Sequence, residues 1–299
     1  MAVFLPRSLE EALDAFARVP EAQLFAGGTD FMVQVNAGAR RPAAVVSLRG
    51  VPELKGWRRD GSEVVLGAGL TYTEMLAAHF GDLVPLLAQA ARTIGSPQIR
   101  NAGTIGGNLG TCSPAGDTLP ALAVLGARIG VDRLGSSRTL ALDELMTGPK
   151  HNSLDPGEII VDVRVPAALG TQEFLKVGPR NAMIIAVANV ALLVDWGARL
   201  VRVALGSVGP VIMRPTEAEA FAVSQIVWGE HRITGGETGL DEFARLVRSS
   251  ARPIDDHRST AEYRLHAVGV CARRALERAL RHQQAAALIE RLGEEPWAS

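Results

Sequence analysis

The chain has 299 residues, is 47% hydrophobic and 21% charged, and carries a formal net charge of −1. That length suits one large domain or two ordinary ones, and the near-neutral balance gives no electrostatic footprint for nucleic acid or an anionic membrane. Cys112 and Cys271 are the only cysteines, which excludes a disulfide framework, a four-cysteine zinc site and an iron–sulfur cluster within the chain.

The opening "MAVFLPRSLEEALDAF" has no basic segment followed by an apolar one, so a secretory signal is not expected and the chain reads as cytoplasmic. Ser8 and Glu11 have capping-box spacing for a helix over "LEEALDAFARV". A short apolar strand at 24–26 then runs into "GGTD", where Thr29 or Asp30 can cap a helix over "FMVQVNAG". "AAVVSL" and "EVVLGAG" read as strands. Thr71 and Glu74 repeat the capping-box spacing, "VPLLAQAARTI" and "LPALAVLGA" read as helices, and "RIGVDR" with "RTLAL" reads as a hairpin. "GEIIVDVRVP" is a strand ending the first half.

Beyond about residue 170 the pattern changes. "QEFLKVG", "AMIIAVANVALLVD" and "LVRVALGSV" read as consecutive strands, although the middle run also fits a buried helix. It is too short and too interrupted to span a bilayer. Helices over "TEAEAFA", "LDEFARLV" and "TAEYRLHAVGVCARRALERAL" follow. Strands followed by helices suggest a second α+β domain. The expected limits are 1–170, 171–285 and a polar tail over 286–299.

Two glycine-rich segments share one design. "LFAGGTD" places Gly27 and Gly28 between a strand and a helix, and "GTIGGN" places Gly106 and Gly107 between Thr104 and Asn108. Adjacent glycines leave successive backbone N–H groups able to face one anion without a Cβ in the way. Thr29, Thr104 and Asn108 add side-chain donors. Two such loops suit a ligand with two linked phosphates, although each also fits a plain tight turn. No Gly-Lys pair exists for a P-loop. "VVLGAGLTYTEM" lacks the third glycine and the downstream acid of a Rossmann fingerprint.

"AGGTD", followed by "IGSPQIRNAGTIGGNLGTCSPAGDTLPAL", "GEIIVDVRVP", "FLKVGPRNAMIIAVANVAL" and "DDHRSTAEYRLHAVGVCARRAL", resembles the FAD-binding (medium) subunit of molybdenum hydroxylases. That family includes the flavoproteins of xanthine dehydrogenase and aerobic carbon monoxide dehydrogenase. The resemblance runs through nearly the whole chain, except about 216–240. It implies an α+β fold: a two-part FAD-binding domain of the vanillyl-alcohol oxidase/p-cresol methylhydroxylase type, followed by a smaller α+β domain.

Carried over position by position, the resemblance makes Leu24, Phe25, Ala26, Gly27, Gly28, Thr29, Asp30 and Phe31 the first pyrophosphate loop. Thr104, Ile105, Gly106, Gly107 and Asn108 become the second. Asp117 would bond the nucleotide half, Ile160 and Lys176 would touch the flavin end, and Ile94 would lie against the isoalloxazine ring. By residue chemistry alone, Asp117 equally fits a helix N-cap and Lys176 a surface lysine. A cation beside a flavin favours its reduced, negatively charged form.

The resemblance implies FAD as the cofactor, with the molybdenum cofactor and [2Fe-2S] clusters held only by a large and a small partner subunit in a dimer of heterotrimers. Electrons would pass from the clusters through FAD to NAD⁺, oxygen or another acceptor. No acid–base residue is expected in this chain, nor a metal site. A stand-alone FAD-dependent oxidase or reductase and a non-enzymatic nucleotide-binding protein are the alternatives. Cys112 reads as a small buried hydrophobe, and the six histidines show no metal spacing.

Overall fold

The computed structural model describes residues 1–167 and 169–293. The chain opens with β1 (Ala2–Phe4), α1 (Leu9–Arg18), β2 (Ala22–Phe25), α2 (Phe31–Asn36) and β3 (Ala44–Ser47). The three strands form a parallel sheet in the order β1-β3-β2. Ser8 caps α1 by accepting from the Glu11 N–H at 3.1 Å, whereas the Glu11 carboxylate reaches one residue further back, to the Arg7 N–H at 2.7 Å. Alternation along the strands turns Phe4, Ala22, Leu24, Ala44 and Val46 toward Ala15, Phe16 and Val19 around α1.

The second part comprises β4 (Trp57–Asp60), β5 (Glu63–Gly67), α3 (Ala78–Leu83), α4 (Pro85–Arg92), α5 (Pro97–Ala102), α6 (Ile105–Thr111) and α7 (Thr118–Leu125). It continues through β6 (Arg128–Arg133), β7 (Ser136–Ala141), α8 (Leu142–Leu145), β8 (Met146–Gly148), β9 (His151–Asn152) and β10 (Ile159–Pro166). An antiparallel sheet in the order β4-β5-β10-β6-β7 packs with α4, α6 and α7 around the main core. Thr71 and Glu74 do bond reciprocally, yet they cap only a single 3₁₀ turn over Glu74–Leu76. The "GTIGGN" segment, expected as a loop, instead runs into α6, directly after α5.

The third part is a meander, β11 (Thr171–Val177), β12 (Ala188–Asp195) and β13 (Leu200–Gly206). It is covered by α9 (Thr216–Gln225), α10 (Glu237–Ser250) and α11 (Ala261–Gly293), with a small hairpin of β14 (Ile226–Val227) and β15 (Arg232–Ile233). The β12 run is apolar throughout because both of its faces are covered. Ala191 and Leu193 enter the main core, whereas Ala188, Val190, Leu192 and Val194 enter the core under α9–α11. The parts are therefore packed through a shared sheet.

Helix α11 continues to Gly293, so most of the expected tail is helical, and 294–299 lie outside the described residues. Its first turn is anchored by Arg264, only 1% exposed, which donates to the Val187 and Ser207 carbonyls at 2.7 and 2.9 Å and to Asp256 Oδ1 at 2.7 Å. Among the described residues, no helix is long and apolar enough to cross a membrane.

Candidate functional site

The first glycine turn leaves β2 at Phe25, and its ring meets Phe31 edge-on at 5.4 Å on the far side of the turn. Gly28 takes φ +75°, a conformation that side chains rarely adopt. A Cβ on Gly27 would stand 1.9 Å from the Ala102 carbonyl oxygen, so this turn is pressed against the end of α5. The two glycine segments, 75 residues apart at Gly27 and Ala102, are thus in backbone contact. Among the described residues, the N–H groups of Gly27, Gly28, Thr29 and Asp30 donate to no protein acceptor. Four consecutive unspent donors are the kind of feature from which an anion-binding turn is built.

The second segment works differently. Thr104 caps α6, its Oγ1 accepting from the Gly107 N–H at 3.1 Å. The Ile105 and Gly106 N–H groups donate to Leu70 and Ala68 carbonyls at 3.0 and 2.8 Å, and the Asn108 N–H donates to the Thr104 carbonyl. The expected row of free N–H groups is therefore absent here, because the helix start and the extended chain after β5 consume them. Glycine serves a different end. Gly106 lets the helix touch Ala68, where a Cβ would stand 2.7 Å from the carbonyl oxygen. A Cβ on Gly107 would meet only Thr104 Oγ1, at 3.0 Å, and one on Gly110 would meet nothing within 4 Å. These two positions, three apart and so on one helix face, give a side-chain-free wall. Asn108 accepts from the Thr118 hydroxyl at 2.6 Å, which joins α6 to α7.

Asp117 and Lys176 come together. Lys176 Nζ lies 2.5 Å from Asp117 Oδ2 and also donates to the Thr93 and Ile184 carbonyls at 3.1 and 3.0 Å. Asp117 Oδ1 accepts from Asn189 Nδ2 at 2.8 Å. Both side chains are 6% exposed. Burial pushes the Asp117 carboxyl up, while the Lys176 charge and the bonds from Lys176, Asn189 and Thr93 draw it down. The three ammonium protons and both carboxylate oxygens are thus engaged within the protein. Ile94 follows Thr93 and adjoins this pair, its carbonyl accepting from Arg100 at 2.9 Å. Ile160 is buried in the main core on β10, at the position where the register with β6 shifts. The chain next to it meets α6: the Val161 carbonyl holds the Ala68 N–H, and the Ala68 carbonyl holds Gly106.

Sequence reading passed over Lys150. It stands in the turn between β8 and β9 at φ +60°, with its N–H on the Cys112 carbonyl at 3.0 Å. Its Nζ is 3.5 Å from Asp30 Oδ1, which places a cation beside the first glycine turn. Asn152, in the same hairpin, donates to the Gly110 carbonyl at 2.8 Å. The one sequence signal was scarcity: Lys150 is among only three lysines. Cys112 is fully buried, donates to the Leu109 carbonyl at 2.9 Å, and has its thiol pushed up to about 11 by burial. It is a packing residue, not a reactive thiol. No group of three metal-ligating side chains occurs among the described residues.

Residues 1–168 match the family described as the FAD-binding domain in molybdopterin dehydrogenase, and residues 173–279 match the carbon monoxide dehydrogenase flavoprotein C-terminal domain. The nicotine 6-hydroxylase medium subunit of Paenarthrobacter nicotinovorans is 30% identical, over 91% of this chain and 94% of that one. The carbon monoxide dehydrogenase medium chain of Hydrogenophaga pseudoflava is 28% identical, over 92% and 95% respectively. Among solved structures, reconstituted CO dehydrogenase from Oligotropha carboxidovorans superposes with a TM-score of 0.85 at 25% identity, covering 94% of this chain and 98% of that one. The bare glycine face of α6 and the turn of unspent N–H groups both lie within the residues that match the FAD-binding domain.

Proposed function

The chain belongs to the family of FAD-binding domains in molybdopterin dehydrogenases, and from that premise we propose that it passes electrons from the [2Fe-2S] clusters of a partner subunit, through FAD, to NAD⁺, oxygen or another acceptor. It is an FAD-binding oxidoreductase subunit of the molybdenum hydroxylase type. The relatives named as medium chains belong to multi-subunit enzymes. A small cluster-bearing subunit and a large molybdenum-cofactor subunit are its partners, arranged as a dimer of heterotrimers. With two cysteines, this chain cannot hold the clusters itself.

The observation that carries the proposal is the backbone contact between the two glycine segments, one bringing free N–H groups and the other a bare helix face. The Gly27–Asp30 turn would bind the pyrophosphate, with Lys150 supplying a positive charge beside it. Gly107 and Gly110 would let the cofactor lie against α6, and Asn108 Nδ2 would donate to it. Ile94 and Ile160 would supply apolar wall. Asp117 and Lys176 act as positioning residues, because their bonds tie α4, α7, β11 and β12 together behind the site. FAD, when bound, supplies a centre that accepts and releases electrons singly or in pairs.

The test is an absorbance spectrum of the purified chain before and after heat denaturation. Flavin bands near about 370 and about 450 nm that move to the supernatant are expected of non-covalent FAD. Bands left in the pellet would favour a covalent, stand-alone oxidase. No bands after incubation with FAD would refute the proposal.

A further inference from the structure

The β1-β3-β2 sheet packs one face on α1, and its other face carries a groove with exposed apolar edges. In register, Val3 pairs with Val45, and Val45 with Gln23, while Phe25 pairs with Ser47. Alternation turns these residues away from α1. Together with Met1, Leu5, Phe31, Met32, Arg7 and Arg49, most of them line a cavity of about 590 Å³. Its walls are conspicuously apolar for a surface: Met1 is 79% exposed, Leu5 70%, Val3 52% and Met32 42%. Gln23, on the same face by register, has a buried side-chain oxygen with no hydrogen-bond partner.

The rim is positively charged. Among the described residues, the guanidinium groups of Arg7 and Arg49 take part in no hydrogen bond or ion pair, and Arg40 lies over the Phe31 ring at 4.6 Å without a carboxylate partner. The nearby carboxylates of Glu11 and Glu53 are spent on the Arg7 and Leu9 N–H groups. A small-molecule site holds a few buried, convergent polar groups. Here the charged groups stand exposed at the edge, and exposed apolar walls rise around a floor at Val45 and Ser47, which suits a protein interface.

We infer that this face is a docking surface for another protein chain of the assembly, one that offers an apolar segment ringed by carboxylates. The inference rests on the multi-subunit reading above. The apolar segment fills the groove over Val3, Leu5, Val45 and Met32, and the carboxylates pair with Arg7, Arg40 and Arg49. Burial of the apolar walls supplies affinity, and the arginines supply orientation and salt dependence.

The test uses the intact complex, isolated through a tag on this chain, with native mass spectrometry of the co-purifying subunits on dilution. Two variants are compared, Val3→Asp/Leu5→Asp and Arg7→Glu/Arg49→Glu; none of these residues lies in the flavin site. Both are expected to keep parental flavin content and to release a partner at concentrations at least tenfold higher than the parent does. The charge-reversed variant is further expected to lose most of the salt dependence of assembly. Flavin-loaded variants that assemble like the parent would overturn the inference while leaving the functional reading intact. A flavin-loaded chain that instead dimerises alone, and loses that dimer in Val3→Asp/Leu5→Asp, would overturn it in favour of a second copy. A parent chain without flavin would refute the functional reading itself.

Discussion

Gly107→Val separates binding from folding. The position is in the first turn of α6, and an added Cβ meets only Thr104 Oγ1, at 3.0 Å. Replacing glycine inside a helix recovers a few tenths of a kcal/mol of propensity, about 0.3 or more. Against that, crowding of Thr104 endangers the cap bond to the Gly107 N–H, a loss of about 0.5–2 kcal/mol. The net change in stability is therefore about 1.7 kcal/mol or less. For the ligand the same side chain fills the bare wall of the site. Affinity for FAD is expected to fall at least about 100-fold, equivalent to about 2.8 kcal/mol. The assay is flavin content per folded chain, with FAD titrated into the stripped protein and a urea melt on the same sample. Gly110→Val, open to 4 Å, should behave alike. Gly106→Val should instead cost the fold, since its Cβ would strike the Ala68 backbone. A Gly107→Val chain that melts like the parent and holds its full flavin would refute the placing of the cofactor against α6.

Lys150→Met should weaken FAD about tenfold while leaving riboflavin, which has no phosphate, unaffected, and Lys150→Arg should restore binding; calorimetry on stripped protein reads all three. Lys176→Met strands a buried carboxylate and should destabilise the chain by about 3–5 kcal/mol, whereas adding Asp117→Asn should recover part of that loss in urea melts; additive single effects would mean that the pair is not coupled. Asp256 is held well below the usual carboxylate range, first by the hydrogen bond from Arg258 and also by Arg264. Its folded pKa lies below the unfolded one, so its contribution is present above about pH 4 and is lost as acid protonates it. Asp256→Asn should be less stable at pH 7 and should flatten the fall of the urea midpoint between about pH 4 and pH 2.

Local rules were enough for much of the chain. Ser8 caps α1, the 128–141 hairpin forms, and the fold type is α+β, because capping, alternation and turn residues act over a few positions. The two Gly-Gly pairs were legible as places where backbone must be approached closely. What approaches them was not. Gly27 is fixed by the Ala102 carbonyl and Gly106 by Ala68, contacts between distant segments that no local pattern contains. The same gap explains why the second segment is a helix whose N–H groups are already spent, since its acceptors, Leu70 and Ala68, come from the chain after β5. The strand character of β12 was ambiguous for a related reason: a run covered on both faces loses the alternation that marks a strand. Asp117 and Lys176 are 59 residues apart and meet only because β11 packs beside α4 while α7 packs on the neighbouring β12, which turns a possible cap and a possible surface lysine into one buried pair. The sequence determined which residue types were available and where the backbone could bend; only tertiary packing decided which donors were left free to face a ligand.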